Sequence, residues 1–258
     1  MKKVLFIPFL LITTLALGQT YDTLVSGVYH WDKLEPKKEE TSVRRQILEG
    51  KTFALSYFEI HASTLEPGKA PHPPHVHEDY EELILVKEGQ VKITINQTSK
   101  ILGPGSVAFA MPGDMHGIEN AGNSQATYYI LKYKGKFPMD MQRAQSAGGS
   151  LMLDWNALPT SQTGKGYRRN FFDRGTSQLR QFEMHTTALN ADSVSHLPHT
   201  HIQEEIVLIV RGQVEMQIGD KTYKAKAGDL YFLSSNIPHA LKNTGREQCE
   251  YFAFQWRN

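Results

Sequence analysis

The chain repeats itself at a nearly constant offset. A step of 124 residues carries FEIHASTL (Phe58 to Leu65) onto FEMHTTAL (Phe182 to Leu189) and pairs Trp31 with Trp155, Arg44-Arg45 with Arg168-Arg169, His72 with His196, His75 with His199 and His77 with His201. After one deletion the step becomes 123, and it pairs Glu82 with Glu205, Gly89 with Gly212, Gly105 with Gly228, His116 with His239 and Asn120 with Asn243. Ten of the eleven histidines fall into matched pairs, and only His30 is left over. A repeat of this kind constrains the fold before any other feature is considered. It predicts two equivalent domains, residues 21–136 and 150–258, joined by a connector at 137–149 that serves as a lid or as a plain link.

Each half reads as short alternating strands separated by turns. Val91, Ile93 and Ile95 alternate with Lys92, Thr94 and Asn96, and Val214, Met216 and Ile218 alternate with Glu215, Gln217 and Gly219. Asn96 and Gly219 occupy matching positions and both tolerate positive φ, which predicts a tight hairpin in each half. Pro104-Gly105 suits the centre of a type II turn. The expected architecture is all-β, two small antiparallel barrels or rolled sandwiches in tandem.

The N-terminus begins MKK, continues through the apolar run Val4 to Leu17, and reaches the small-x-small triplet Ala16-Leu17-Gly18. These features predict a cleaved signal peptide over residues 1–18 and a periplasmic or secreted protein. The apolar run is too short for a stable membrane anchor. Lys2 and Lys3 are among the 28 basic residues, so the remainder balances the 27 acidic ones, and near-neutrality argues against nucleic acid as a partner. The single cysteine, Cys249, allows no internal disulfide and reads as a small core residue.

In the stretch PHVHEDYEELILVKEG, His75 and His77 stand two apart, which puts both imidazoles on one face of an extended chain, where they can grip a single ion. The full pattern is His75-x-His77, Glu82, Gly89, Gly105, His116, Asn120, repeated as His199-x-His201, Glu205, Gly212, Gly228, His239, Asn243. It resembles the two motifs of the cupin superfamily, G(X)5HXH(X)3-4E(X)6G and G(X)5PXG(X)2H(X)3N, once in each half, so the chain looks like a bicupin. The resemblance implies two cupin barrels of the double-stranded β-helix, or jelly-roll-like, type. Carried over position by position, it implies metal ligands His75, His77, Glu82 and His116 in one barrel and His199, His201, Glu205 and His239 in the other. Met111 and Ser234 replace the proline of the second motif and Asn236 replaces its glycine, while Gly68 precedes His75 by one residue too many and Ala191-Asp192 lie near its counterpart. None of these departures touches an implied ligand, and asparagine accommodates a left-handed turn.

Imidazole and carboxylate donors suit a divalent transition metal (iron, manganese, zinc, copper or nickel), and four protein ligands leave positions open for substrate, water or dioxygen. A structural zinc site is closed and usually richer in cysteine. Glu82 shares its strand face with Ile84 and Val86, so its anion looks into an apolar interior that a bound cation would compensate. Glu81 and Glu204 alternate to the opposite face and are expected to be solvated. His72 and His196 read as loop residues or as contacts at the barrel mouth, and His61 and His185 as packed strand residues. Arg44-Arg45 and Arg168-Arg169 fit salt bridges between barrels or on a solvated face, and also a guanidinium fork for a carboxylate. Trp31 and Trp155 are expected to pack between strands or domains.

The resemblance implies a metal-dependent enzyme acting on a small organic molecule, with a dioxygenase-like oxidoreductase first. Decarboxylase, isomerase and aminohydrolase activities follow, and a non-catalytic binding protein for a sugar or small acid is the competing class. The acidic lid motif of oxalate decarboxylases has no evident counterpart. The ureidoglycine aminohydrolases replace one histidine ligand with glutamine in the active barrel, a change not seen here. Two intact ligand sets predict two metals per chain, and cupins commonly pair through their sheets, which makes a homo-oligomer an open expectation.

Overall fold

The computed structural model describes residues 21–258, so the signal peptide expected over 1–18 lies outside the described residues. Two seven-stranded antiparallel sheets and two three-stranded sheets account for every strand of the described residues. In the N-terminal barrel the large sheet runs in the order Leu151–Leu153, Val107–Ala110, Glu81–Glu88, Ala126–Gly135, Leu55–Leu65, Ser42–Gly50, Lys37–Lys38. The small sheet packed across it is Thr98–Leu102, Val91–Ile95, His116–Asn120. The C-terminal barrel repeats this with Gly27–Tyr29, Leu230–Leu233, Glu204–Arg211, Cys249–Arg257, Gln181–Leu189, Gly166–Arg174, Ser161–Thr163 and a small sheet Lys221–Lys226, Gln213–Ile218, His239–Asn243. The all-β architecture anticipated from the repeat is therefore present twice.

The edge strands cross the expected domain boundary. Gly27–Tyr29 precedes the first barrel in sequence yet pairs with Leu230–Leu233 of the second, and Leu151–Leu153 pairs with Val107–Ala110 of the first. Each arm brings its tryptophan onto a glycine turn of the other barrel. A Cβ on Gly105 would lie 2.4 Å from the Trp155 ring, and one on Gly228 would lie 3.2 Å from Trp31. Gly105 also has φ +82°, so the turn needs glycine for conformation and for room. Arg45 and Arg169 cover the exposed faces of Trp31 and Trp155 at 5.4 and 4.2 Å.

Apolar side chains divide into three cores. Ile84, Val86, Ile93, Ile118 and Tyr128 fill the first barrel, and Val207, Ile209, Met216, Leu241 and Tyr251 fill the second. The third core lies between the barrels, where Leu83, Leu85, Phe109 and Tyr133 meet Phe182, Leu208, Phe252 and Trp256. Strand Glu81–Glu88 thus buries both faces, alternate residues serving different cores, which explains its central apolar run Leu83 to Val86. Cys249 is buried and packs beside Gly212.

This sandwiching corrects the expectation for Glu81 and Glu204. Both alternate away from the neighbouring glutamate, but the far face belongs to the inter-barrel core, and both are buried. Glu81 accepts from Thr176 Oγ1, Ser177 N and Ser177 Oγ of the second barrel, each at 2.7 Å. Glu204 accepts from Thr52 Oγ1 (2.5 Å), Phe53 N (2.8 Å), Ala54 N (2.9 Å) and Trp256 Nε1 (3.1 Å). Each barrel therefore inserts a carboxylate into a loop of the other. The connector contributes to one of these clasps: in its helix Met141–Ser146, Arg143 donates to Thr176 O (2.6 Å) and Ser177 O (2.9 Å). Among the described residues, no helix is long and apolar enough to cross a membrane.

Replacing Glu204 with alanine leaves two backbone N–H groups, a hydroxyl and an indole N–H without their acceptor, and is expected to destabilise the protein by about 3 kcal/mol in guanidinium unfolding. Replacement with glutamine, which keeps an acceptor oxygen, should cost less than half of that.

Candidate metal centres

Backbone pairing brings the ligand segments together before any side chain acts. An isolated antiparallel bridge joins His75 to His116, with N–O distances of 3.0 and 2.9 Å, so the HxH segment runs as a short strand beside the start of His116–Asn120. His199 and His239 form the same bridge at 3.2 and 3.1 Å. The turn before the third histidine grips the second: Gly113 N donates to His77 O (2.9 Å) and Asn236 N to His201 O (2.8 Å). Gly113 and Asn236 have φ of 86° and 61°, so asparagine does keep the left-handed turn where the motif has glycine. Asp192, at φ 57°, likewise matches Gly68 at φ 69°. Asn120 and Asn243 close the loops behind, each donating from Nδ2 to the carbonyl ending the preceding long strand, Leu65 O or Leu189 O, at 2.9 Å.

In the N-terminal barrel the side chains of His75, His77, Glu82 and His116 converge, with one donor atom from each lying within 4.8 Å of the others. His75 Nε2 stands 2.9 Å from His77 Nε2, His77 Nε2 stands 3.1 Å from Glu82 Oε2, and His116 Nε2 is 3.5 Å from Glu82 Oε1. In the C-terminal barrel the arrangement is looser. His201, Glu205 and His239 form one group, with Glu205 Oε2 at 3.2 Å from His201 Nε2 and 3.4 Å from His239 Nε2. His199 and His239 form a second group with His196, whose ring centroid lies 3.9 Å from that of His199. The structure thus gathers all eight predicted residues into two places, as one tight set in the first barrel and as two sets sharing His239 in the second.

The hydrogen bonds set the chemistry of these groups. His116, His201 and His239 each donate from Nδ1 to a backbone carbonyl, Asp114 O (3.0 Å), Gln203 O (2.9 Å) and Ile237 O (2.9 Å). That fixes the tautomer and leaves an Nε2 lone pair pointing at a carboxylate. Two acceptors facing one another repel unless a cation lies between them. The buried Nε2 atoms of His116 and His201 have no hydrogen-bond partner. Donor type, convergence and orphaned nitrogens therefore fit a divalent transition metal. Burial pushes the Glu82 and Glu205 carboxyls up, but the neighbouring imidazoles of His116 and His77, and of His201 and His239, outweigh it and hold both well below the usual range, Glu205 at about 2. Burial, reinforced by repulsion from His116, His72 and His77, lowers His75 to about 4, which keeps its imidazole neutral and available as a ligand at pH 7.

A cavity of about 150 Å³ lies over the first cluster, lined by its four residues together with Arg44, His61, His72 and Lys132. A larger cavity of about 480 Å³ between the barrels is mostly apolar and touches neither histidine cluster. His72 donates from Nδ1 to Pro73 O at 2.9 Å and stands at the mouth. His61 and His185 are buried strand residues, as expected, but each contacts an inward carboxylate, Glu59 at 2.9 Å and Glu183 at 2.7 Å. Arg44 pairs with that same Glu59 and Arg168 with Glu183, within the barrel rather than between barrels. Glu59 and Lys132 were not singled out in the sequence. The signal was available for Glu59, since Glu59-x-His61 and Glu183-x-His185 sit inside the best-conserved block of the internal repeat, at the period that places both on one strand face.

The Cupin domain family matches the sequence at residues 62–132 and again at 186–254, more than half of the chain. The chain belongs to the cupin family. Its two matched regions make it a bicupin, with one histidine cluster in each cupin domain. No curated protein matches the sequence. Solved structures match its fold. AerE from Microcystis aeruginosa is 16% identical with a TM-score of 0.68 over 90% of this chain and 99% of that one. Protein Ylba from E. coli is 17% identical with a TM-score of 0.70 over 93% and 95%. The oxalate decarboxylase of Bacillus subtilis, a protein with Mn(II) centres, is 13% identical with a TM-score of 0.69 over 91% and 78%. At these identities the likeness establishes the shared fold.

The double variant His75→Ala/His77→Ala is expected to halve the metal content of protein loaded with manganese, iron, zinc, copper or nickel, as read by elemental analysis. Lowering the pH should release metal from both barrels, because protons compete for the same imidazole and carboxylate donors.

Proposed function

We propose that this bicupin is an exported metal-dependent enzyme that transforms a small organic molecule, and that an oxidoreductase of the dioxygenase type is the leading reaction class. The observation that carries the reading is the tight set of three imidazoles and one carboxylate at the floor of a cavity that admits a small molecule. A divalent transition metal held by His75, His77, Glu82 and His116 would supply a Lewis-acid and redox centre with open positions facing that cavity. A second ion held by His199, His201, Glu205 and His239 completes two per chain, the looser second cluster being the weaker site.

The protein's own groups shape the surroundings. The Asp114 carbonyl fixes the His116 tautomer, so its Nε2 stays a donor of electrons toward the centre. Ile118, Ile130 and Tyr128 contribute the apolar part of the cavity wall. His72 stands at the mouth, where a substrate enters. Export follows from the leader read over residues 1–18, and the near-neutral mature chain suits a small-molecule partner rather than nucleic acid. Decarboxylation is the second reading, favoured by the structural likeness to an oxalate decarboxylase.

Metal-loaded protein is to be incubated with a panel of small organic acids, keto acids and phenols while oxygen uptake and carbon dioxide release are recorded together. Oxygen consumed in proportion to product, abolished in His75→Ala/His77→Ala, is the expected result. Carbon dioxide release without net oxygen uptake would replace it with the decarboxylase, and full metal occupancy with no turnover on any compound would make the protein a binding module.

A further inference from the structure

The charged residues that line the inner face of the two large sheets match position for position except at one. Lys132 lies in register between Glu59 on one neighbouring strand and Glu82 on the other. In the second barrel the same register places Gln255 between Glu183 and Glu205. Arg44, Glu59 and His61 have their counterparts in Arg168, Glu183 and His185, so the lysine is the charged difference in this layer.

We propose that Arg44 and Lys132 form a carboxylate-binding subsite beside the first metal centre, that the substrate is a small mono- or dicarboxylic acid, and that the C-terminal barrel lacks this subsite. The inference deepens the enzymatic reading above and rests on it. Arg44 and Lys132 both line the 150 Å³ cavity with His75, His77, Glu82 and His116. That space equals about five water molecules' share of liquid, which suits an acid of a few heavy atoms. Lys132 Nζ is 3.8 Å from Glu59 Oε2, beyond hydrogen-bond distance, so its N–H donors are free to meet a ligand. Tyr80 and Tyr57 hold the ammonium over their rings at 5.2 and 5.9 Å, which positions it without using those donors.

The charge balance separates the barrels. Burial raises Glu59, but hydrogen bonds from His61 and Tyr57 and the charge of Arg44 bring it down to about 2, so it is an anion at neutral pH. Glu82 and Glu205 add the same negative charge to the two barrels at the metal position; apart from them, Arg44 and Lys132 exceed Glu59 by one positive charge, while Arg168 and Glu183 cancel. Glu39 also lines the first cavity, but it is exposed at the rim, where it accepts from Ser42 Oγ at 2.8 Å and water screens it. An anionic substrate is therefore drawn to the first barrel and can bring one carboxylate against the guanidinium and ammonium while another part of it faces the metal position.

Malonate is the probe, with uncharged malonamide as its control, titrated calorimetrically into full-length protein at matched, measured metal occupancy. Malonate should bind once per chain and at least ten-fold more tightly than malonamide. Lys132→Gln, which copies the second barrel, should weaken malonate at least ten-fold at unchanged metal content, and Lys132→Arg should keep it within three-fold. Gln255→Lys should raise the stoichiometry toward two. Equal binding of malonate and malonamide, no malonate binding to metal-loaded wild type, or a Lys132→Gln variant of unchanged affinity would overturn the subsite. Tight malonate binding with this dependence on Lys132 but no turnover of any acid would uphold the subsite and remove the enzymatic reading instead.

Discussion

Everything in this protein depends on strands that bury both of their faces. In Glu81–Glu88 and Glu204–Arg211, one set of alternate residues fills a barrel and the other set fills the core between barrels. Consecutive glutamates at the start of each strand therefore face two different buried environments, and each must be compensated there. Glu82 and Glu205 meet histidine nitrogens inside the barrels, while Glu81 and Glu204 meet hydroxyl and amide donors from the opposite barrel. An uncompensated anion in either place would cost several kcal/mol. The carboxylate of the histidine cluster and the inter-barrel clasp are thus neighbours on one strand, which ties the geometry of each cluster to the docking of its partner barrel.

The exchanged arms reinforce that docking. Trp31 and Trp155 each leave the segment preceding one barrel and close a glycine turn of the other, so separating the barrels would expose two indoles, two edge strands and the mixed aromatic core at once. Duplication supplies symmetric clasps, but it does not keep the two centres alike. The first gathers four donors around one point below a cavity, and the second divides its donors around His239 with His196 joining from outside the motif. A lysine opposite a glutamine at the same register adds a difference of charge to this difference of shape.

The motif residues were legible because their constraints are local. An HxH spacing on extended chain, a glycine or asparagine at a left-handed turn, and a glutamate in phase with Ile84 and Val86 need only the backbone geometry of one strand or one turn to be interpreted. The Arg44 environment was less legible. Its partner Glu59 lies on the neighbouring strand, where the register places Ser63 opposite Arg44, so the pair forms only because the arginine side chain reaches along that strand. Glu81 and Glu204 were misread for a related reason: alternation correctly turned them away from the metal carboxylate, yet nothing within the strand says whether the far face meets water or another barrel.

The sequence by itself determined the duplication, the all-β character, the turn positions and the eight residues that assemble into histidine and glutamate clusters, because each of these is encoded in spacing along one chain segment. Only the tertiary structure decided the crossing of the edge strands, the buried carboxylate clasps, the unequal closure of the two clusters and the cavity beside Lys132. These arise where segments distant in sequence meet, and there burial and register, rather than residue type, set what a side chain does.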